Sequence, residues 1–172
     1  LNLDLMRSTF SICLLFLAVN VFSQTFCLRL SEVSNDGSNF VVSIEMQGST
    51  NFALGSSNLQ WSYTASSLSD PVLESSPLGP PVYQVPTVTD VGNGEVSFNI
   101  ELGFPGFGTN ISADPEWTEL GRVSFTITNP NNIGTMTWIY NGGTTQTVVF
   151  LDDESTQIFV TDPICLFGLD VS

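Results

Sequence analysis

The sequence contains no histidine and no lysine, and its only cationic side chains are Arg7, Arg29 and Arg122. Without an imidazole there is no Ser-His-Asp or Cys-His relay and no histidine metal ligand. Without a lysine amine there is no Schiff base and no Walker-type phosphate grip. Three guanidinium groups do not coat a nucleic-acid backbone or an anionic membrane surface. Charged residues of both signs make up 12% of the 172 residues, about half the ~25% usual in globular domains. Helical periodicity is missing after residue 25.

What the chain has is acid. Seventeen Asp and Glu residues leave a net charge of −14, and 42% of the residues are hydrophobic, enough for one domain with a core. Three classes survive these exclusions: a carboxylate enzyme, an acidic binding module, or a passive structural domain.

Residues 1–23 read as upstream residues and an export signal. Arg7 precedes the apolar run Phe10 to Val19, and the small residue Ser23 closes the segment. The run is shorter than the ~20 apolar residues needed to span a bilayer. A buried N-terminal helix is the alternative. Cleavage after Ser23 makes Gln24 the new N-terminus, while Leu1 to Leu5 precede the start at Met6. Loss of the segment removes Asp4 and Arg7 together, so the charge of −14 belongs to a single domain over residues 24–172. The expected destination is secreted, extracellular or cell-surface, with no membrane insertion once the signal is gone.

Export also takes Cys13, leaving Cys27 and Cys165 near the two ends of the domain. An even count in an oxidising compartment predicts a disulfide between them, with two buried free thiols as the alternative.

From Phe26 onward the pattern is short alternating runs separated by Gly, Pro, Asn, Asp and Ser. Phe40, Val42, Ile44 and Met46 mark one half-buried strand of period two. Leu59, Trp61 and Tyr63 mark another, as do Val96, Phe98, Ile100 and Leu102, then Val123, Phe125 and Ile127, then Met136, Trp138 and Tyr140. Shorter runs lie at Val148 to Phe150 and Gln157 to Val160, around the acidic turn Asp152-Asp153-Glu154. The stretch Pro77 to Pro86 predicts a loop or an edge strand, because proline cannot donate to a ladder. Eight or nine strands with one apolar face each must bury that face against a second sheet. The expectation is an all-β, two-sheet antiparallel β-sandwich or jelly roll.

Three stretches resemble the cohesin-like modules of secreted bacterial proteins, a jelly-roll family within the carbohydrate-binding-module-like sandwiches. Phe52 to Tyr63, running into Ser67 to Leu73, is similar to that family's aromatic strand followed by a bend. Trp117 to Ile127 resembles its small-residue turn leading into a strand, and Phe150 to Thr156 its late acidic turn. Phe22-Ser23-Gln24 also resembles the cleavage point of exported Bacteroidetes-type proteins. Such proteins often carry a C-terminal sorting domain; none is visible before Ser172, so the chain is expected to continue beyond that residue. The resemblance implies a non-enzymatic adhesive or scaffold module that binds a protein partner or a surface.

The candidate sites follow from residue chemistry. In the loop Gly103 to Asn110, Phe104 and Phe107, with Trp117 downstream, could offer a stacking platform for a polysaccharide or an apolar contact for a protein. The alternative is that these rings cap the open end of the sandwich. Trp61 and Trp138 read as core. Asp152, Asp153 and Glu154 could hold Ca²⁺, with Asp114 and Glu116 as a weaker option, although the EF-hand spacing is absent and a plain solvated hairpin turn is the better account of the acidic run. Glu45, Glu95 and Glu101 are the carboxylates a small jelly-roll glycosidase would use, and a solvated outer face is the alternative. Asn110-Ile111-Ser112 matches a glycosylation sequon. The expected function is a non-enzymatic protein-binding or adhesion module needing no cofactor. A carbohydrate-binding module comes second and a glycosidase third.

Overall fold

The computed structural model describes residues 24–140, 147–160 and 165–171. The expected export segment, residues 1–23, lies outside them. The described chain is a β-sandwich of thirteen strands, more than the eight or nine expected. They are β1 Thr25–Asn35, β2 Asn39–Gly48, β3 Phe52–Ser62, β4 Leu68–Ser75, β5 Thr87–Gly92, β6 Glu95–Ile100, β7 Thr109–Ile111, β8 Thr118–Ile127, β9 Thr135–Trp138, β10 Val148–Leu151, β11 Gln157–Val160, β12 Leu166–Phe167 and β13 Leu169–Asp170. Among the described residues no helix is long and apolar enough to cross a membrane.

One sheet runs β4–β8–β2–β1, with β11 and β12 continuing it past β1. The other is organised on β3. Along one side β3 pairs with β7 and β6, and along the other with β10 and β9; β5 lies outside β6 and β13 outside β9. Pairing is antiparallel except where β11 and β12 meet β1 in parallel. Because β11 also pairs with β10, it stitches the two sheets along one edge.

The alternation in the sequence is what fills the space between the sheets. Phe26, Leu28 and Leu30 of β1 and Phe40, Val42, Ile44 and Met46 of β2 are buried on one side. They face Leu54, Leu59, Trp61, Val96, Phe98 and Val149 from the other sheet within one hydrophobic cluster. Trp61 and Trp138 meet edge-to-face with centroids 5.6 Å apart, and both are core residues. Fully burying each large apolar side chain contributes about 1.5–3 kcal/mol.

β3 contains a phase change that the register makes explicit. Phe52 and Leu54 point inward, and so do Leu59 and Trp61, although the two pairs are five residues apart in phase. The extra residue sits at Gly55-Ser56, where Val149 pairs with Ser57 but Leu151 pairs with Leu54. Such a bulge leaves a backbone N–H without a ladder partner. Here the Ser56 N–H donates to Glu154 Oε1 at 2.6 Å, so a carboxylate from the acidic turn completes the bulge.

The strands not expected from the pattern are edges and short closures. β4 contains Pro71 and a register shift between Ser69 and Val72, with Asp70 at φ 52°. A proline and a bulge on an outer strand block further pairing along that edge. The loop expected at Pro77 to Pro86 is a loop through residue 86, and β5 begins at Thr87.

Cys27 of β1 and Cys165, just before β12, are joined by a disulfide with Cα atoms 4.8 Å apart. It lies where the chain end returns to β1, one residue before Leu166 pairs with Leu28.

Candidate interaction surfaces

The loop between β6 and β7 carries Phe104 and Phe107, which are 62% and 70% exposed. They do not fold back to cap the sandwich. With Pro81 and Val82 they line an apolar depression of about 330 Å³. The loop beneath them is tightly held. Gly103 N–H donates to the Val82 carbonyl at 2.8 Å, Gly106 N–H to the Asp152 carbonyl at 2.7 Å, and Gly108 N–H to the Asp152 carboxylate at 3.4 Å. Gly106 takes a φ of +83°, which glycine adopts without steric cost.

Tyr83 clamps the same loop from inside. Its hydroxyl accepts the Thr109 N–H at 2.7 Å and donates to the Leu54 carbonyl at 2.8 Å, while its ring is buried. Burial pushes the phenol pKa up, opposed by the Thr109 hydrogen bond. Sequence reasoning placed Tyr83 in a proline-rich loop and missed this role; an aromatic with a polar tip inside such a stretch was the available signal.

Trp117 does not join the two phenylalanines. It sits just before β8, where its ring meets Phe167 edge-to-face at 5.9 Å and takes the Arg29 guanidinium 4.4 Å from its centroid. That guanidinium also pairs with Glu45 across the β1–β2 ladder. Glu45 in turn stands opposite Glu119 in the β2–β8 register, and Glu119 pairs with Arg122 at 3.0 Å. Both described arginines are thus engaged with carboxylates on the outer face of one sheet.

The acidic turn does not converge on a common point. Asp153 accepts the Ser155 and Thr156 N–H groups at 2.8 and 2.7 Å and the Thr156 hydroxyl at 2.6 Å. The Thr156 hydroxyl, followed by those two N–H groups, holds its carboxyl at a pKa of about 2. Glu154 serves the Ser56 bulge and Asp152 the Gly108 N–H. The expected calcium ligands therefore satisfy three different backbone sites. Among the described residues no group of three His, Cys, Asp or Glu side chains could hold a metal ion. Asp114 accepts from the Gln47 amide at 3.4 Å, and the carbonyl of Glu116 accepts from the same amide at 3.2 Å.

Glu45 lies on the opposite sheet from Glu95 and Glu101. Glu95 opens β6 and Glu101 follows its last residue on the same face, six residues apart, roughly 20 Å at 3.3 Å per residue. Glycosidase carboxylates stand about 5–10 Å apart, so this set forms no such pair. Asn110 of the sequon is exposed on β7.

The outer face of the β3-centred sheet presents a second surface. Ser56, Asn58, Asn99, Glu101, Val148 and Phe150 surround a shallow concavity of about 320 Å³. The Ser97 hydroxyl donates to Asn58 Oδ1 at 2.6 Å, and the Gln84 amide donates to Glu101 at 2.8 Å. Apart from Glu101 the polar side chains of this lining are neutral, and they surround two apolar side chains of β10.

No protein-family model matches the chain, and no curated protein matches it in sequence. Solved structures do resemble it in fold. The sixth cohesin of scaffoldin B from Acetivibrio cellulolyticus, crystallised in complex with a Cel5 dockerin mutant, matches with a TM-score of 0.57 at 15% identity, over 86% of this chain and 99% of that one. The seventh ScaB type I cohesin from Pseudobacteroides cellulosolvens matches with a TM-score of 0.52 at 12% identity, over 86% and 92%. The fold is therefore a cohesin-like jelly-roll sandwich.

Proposed function

We propose that this domain is a secreted, non-catalytic protein-interaction module of cohesin type, whose partner docks on the outer face of the β3-centred sheet. The observation that carries this reading is the match in fold, over 86% of this chain and 99% of the other, to a cohesin crystallised with a dockerin. The face itself supports it. Asn58 and Asn99 offer neutral hydrogen-bonding groups around Val148 and Phe150, with Glu101 the single charged side chain of the lining, and interface centres are depleted in charge because desolvating ions is costly. The wide spacing of Glu95 and Glu101 supports binding rather than glycoside hydrolysis.

Isothermal titration against dockerin modules encoded in the same genome tests this. The expected result is a saturable one-to-one complex that Asn99→Arg weakens at least tenfold. Failure to bind any of those modules would overturn the reading. Retention on insoluble polysaccharide, lost in a Phe104→Ser/Phe107→Ser variant, would establish the carbohydrate-binding alternative instead.

A further inference from the structure

Resting on the reading of this domain as a protein-binding module, we propose that the depression formed by Pro81, Val82, Phe104 and Phe107 is a second contact site, one that takes an apolar side chain from a cationic segment of the partner.

The depression is built, not incidental. Phe104 and Phe107 are exposed, yet the loop that carries them is fixed by the three backbone hydrogen bonds to Val82 and Asp152 and by the Tyr83 hydroxyl on Thr109 N–H. Gly108 is part of that fixation, because a Cβ there would collide with the Leu54 carbonyl and the Asp152 side chain. A backbone already fixed in place loses little entropy on binding, and desolvated aromatic anchors supply most of the affinity at protein interfaces.

The chemistry of the lining and rim selects the occupant. Its four lining residues bring no polar side chain. A sugar needs fixed hydrogen-bonding groups to orient its hydroxyls, and none is offered within the lining. The support beneath the lining is acidic: Asp152 takes the Gly106 N–H on its carbonyl and the Gly108 N–H on its carboxylate, which sets an anion under the rim of the loop. The chain carries a net charge of −14, and both described arginines are engaged with carboxylates on the other sheet. An anionic lipid surface and a second copy of this chain would both be repelled. A segment with an aromatic or branched apolar residue flanked by Lys or Arg satisfies the lining and the rim together.

A phage-displayed library of random dodecapeptides, panned on the folded, disulfide-intact protein, tests this. Selected sequences are expected to pair an apolar residue with flanking Lys or Arg. Synthetic versions, followed by fluorescence anisotropy, should bind at least tenfold more weakly to Phe104→Ser/Phe107→Ser and several-fold more weakly at 0.5 M than at 0.05 M salt. They should bind Asn99→Arg as well as the unmutated protein. Because both phenylalanines are exposed, the double variant should melt at an unchanged temperature. Selection of no Phe104/Phe107-dependent peptide, selection of peptides without basic residues, or binding of a cello- or xylo-oligosaccharide that the double variant loses would each overturn the proposal. Peptides dependent on Asn99 alone would overturn it while leaving the sheet-face reading intact. Phe-dependent cationic peptides with no dockerin bound would do the reverse.

Discussion

Removing the bond between Cys27 and Cys165 is the perturbation with the largest calculable effect. The two residues are 138 apart in sequence, so the bond closes nearly the whole described domain into one loop. In the chain-entropy model a loop of that size stabilises the fold by about 5 kcal/mol. Whole domains are stable by only about 5–15 kcal/mol, so reduction removes a third or more of the total. Beyond the disulfide, the returning segment is held by two-residue pairings of β12 with β1 and β13 with β9, and by the Trp138 indole N–H on the Phe167 carbonyl at 3.1 Å. A Cys27→Ser/Cys165→Ser variant should therefore melt about 10–20 °C lower, at 2–4 °C per kcal/mol for a domain of this size. Urea unfolding followed by tryptophan fluorescence gives the free energy, and hydrogen exchange at Leu166–Asp170 reports the local segment. A loss below 1 kcal/mol with undiminished protection of Leu166 to Asp170 would refute the reasoning on both counts.

Other perturbations test the internal machinery. Tyr83→Phe removes a hydroxyl that serves two backbone groups, and should cost about 1–3 kcal/mol by chemical denaturation. Because the folded Tyr83 pKa is raised, its neutral form is the stabilising one. That stability is complete below pH 10 and is lost as pH rises through the folded value; the alkaline decline should be shallower in Tyr83→Phe. Asp153 is the opposite case. Its depressed carboxyl should titrate near pH 2 by NMR, with the turn's support present above about 3.8 and lost as pH falls through about 2. Thr156→Ala should move that titration upward. Phe98→Ala, at a fully buried position between the sheets, should destabilise by about 3–5 kcal/mol. Adding Ca²⁺ should leave the melting temperature unmoved, since Asp152, Asp153 and Glu154 point to separate backbone donors.

The strands that line the core were legible because burial on one face imposes a period of two. Phe40 to Met46 and Val96 to Leu102 carry it without interruption, and both fill the core. β5 carried no such signal. An edge strand that is largely exposed needs no alternating apolar face, and Thr87–Gly92 has none. β4 was obscured by Pro71, which reads as a turn in sequence but is tolerated on an outer strand. The site residues divide the same way. Phe104 and Phe107 lie three apart in a tight loop, so their proximity is local and readable. Trp117 is only ten residues from Phe107, yet the β2–β8 register carries it to Arg29, and no local rule encodes a register.

The same distinction explains what the acidic residues do. From composition alone, a charge of −14 on so few cations suggests a uniformly solvated, self-repelling surface. In the structure five of these acids do two kinds of work. Glu45 and Glu119 neutralise the two described arginines on one sheet, which leaves that face locally balanced. Asp152, Asp153 and Glu154 instead accept backbone N–H groups at a bulge, a glycine loop and their own turn. Carboxylates suit that work because each accepts charge-assisted hydrogen bonds and donates none. One consequence follows for the aromatic loop: the residue that fixes Gly106 through its carbonyl and Gly108 through its carboxylate also gives the rim a negative charge. Asp152→Asn retains the carbonyl that receives Gly106 N–H and an oxygen for Gly108 N–H, but removes the charge. It should therefore leave the unfolding free energy within about 0.5 kcal/mol of that of the unmutated protein while weakening cationic-peptide binding. Equal loss of stability and binding would mean that Asp152 acts on the loop's shape alone.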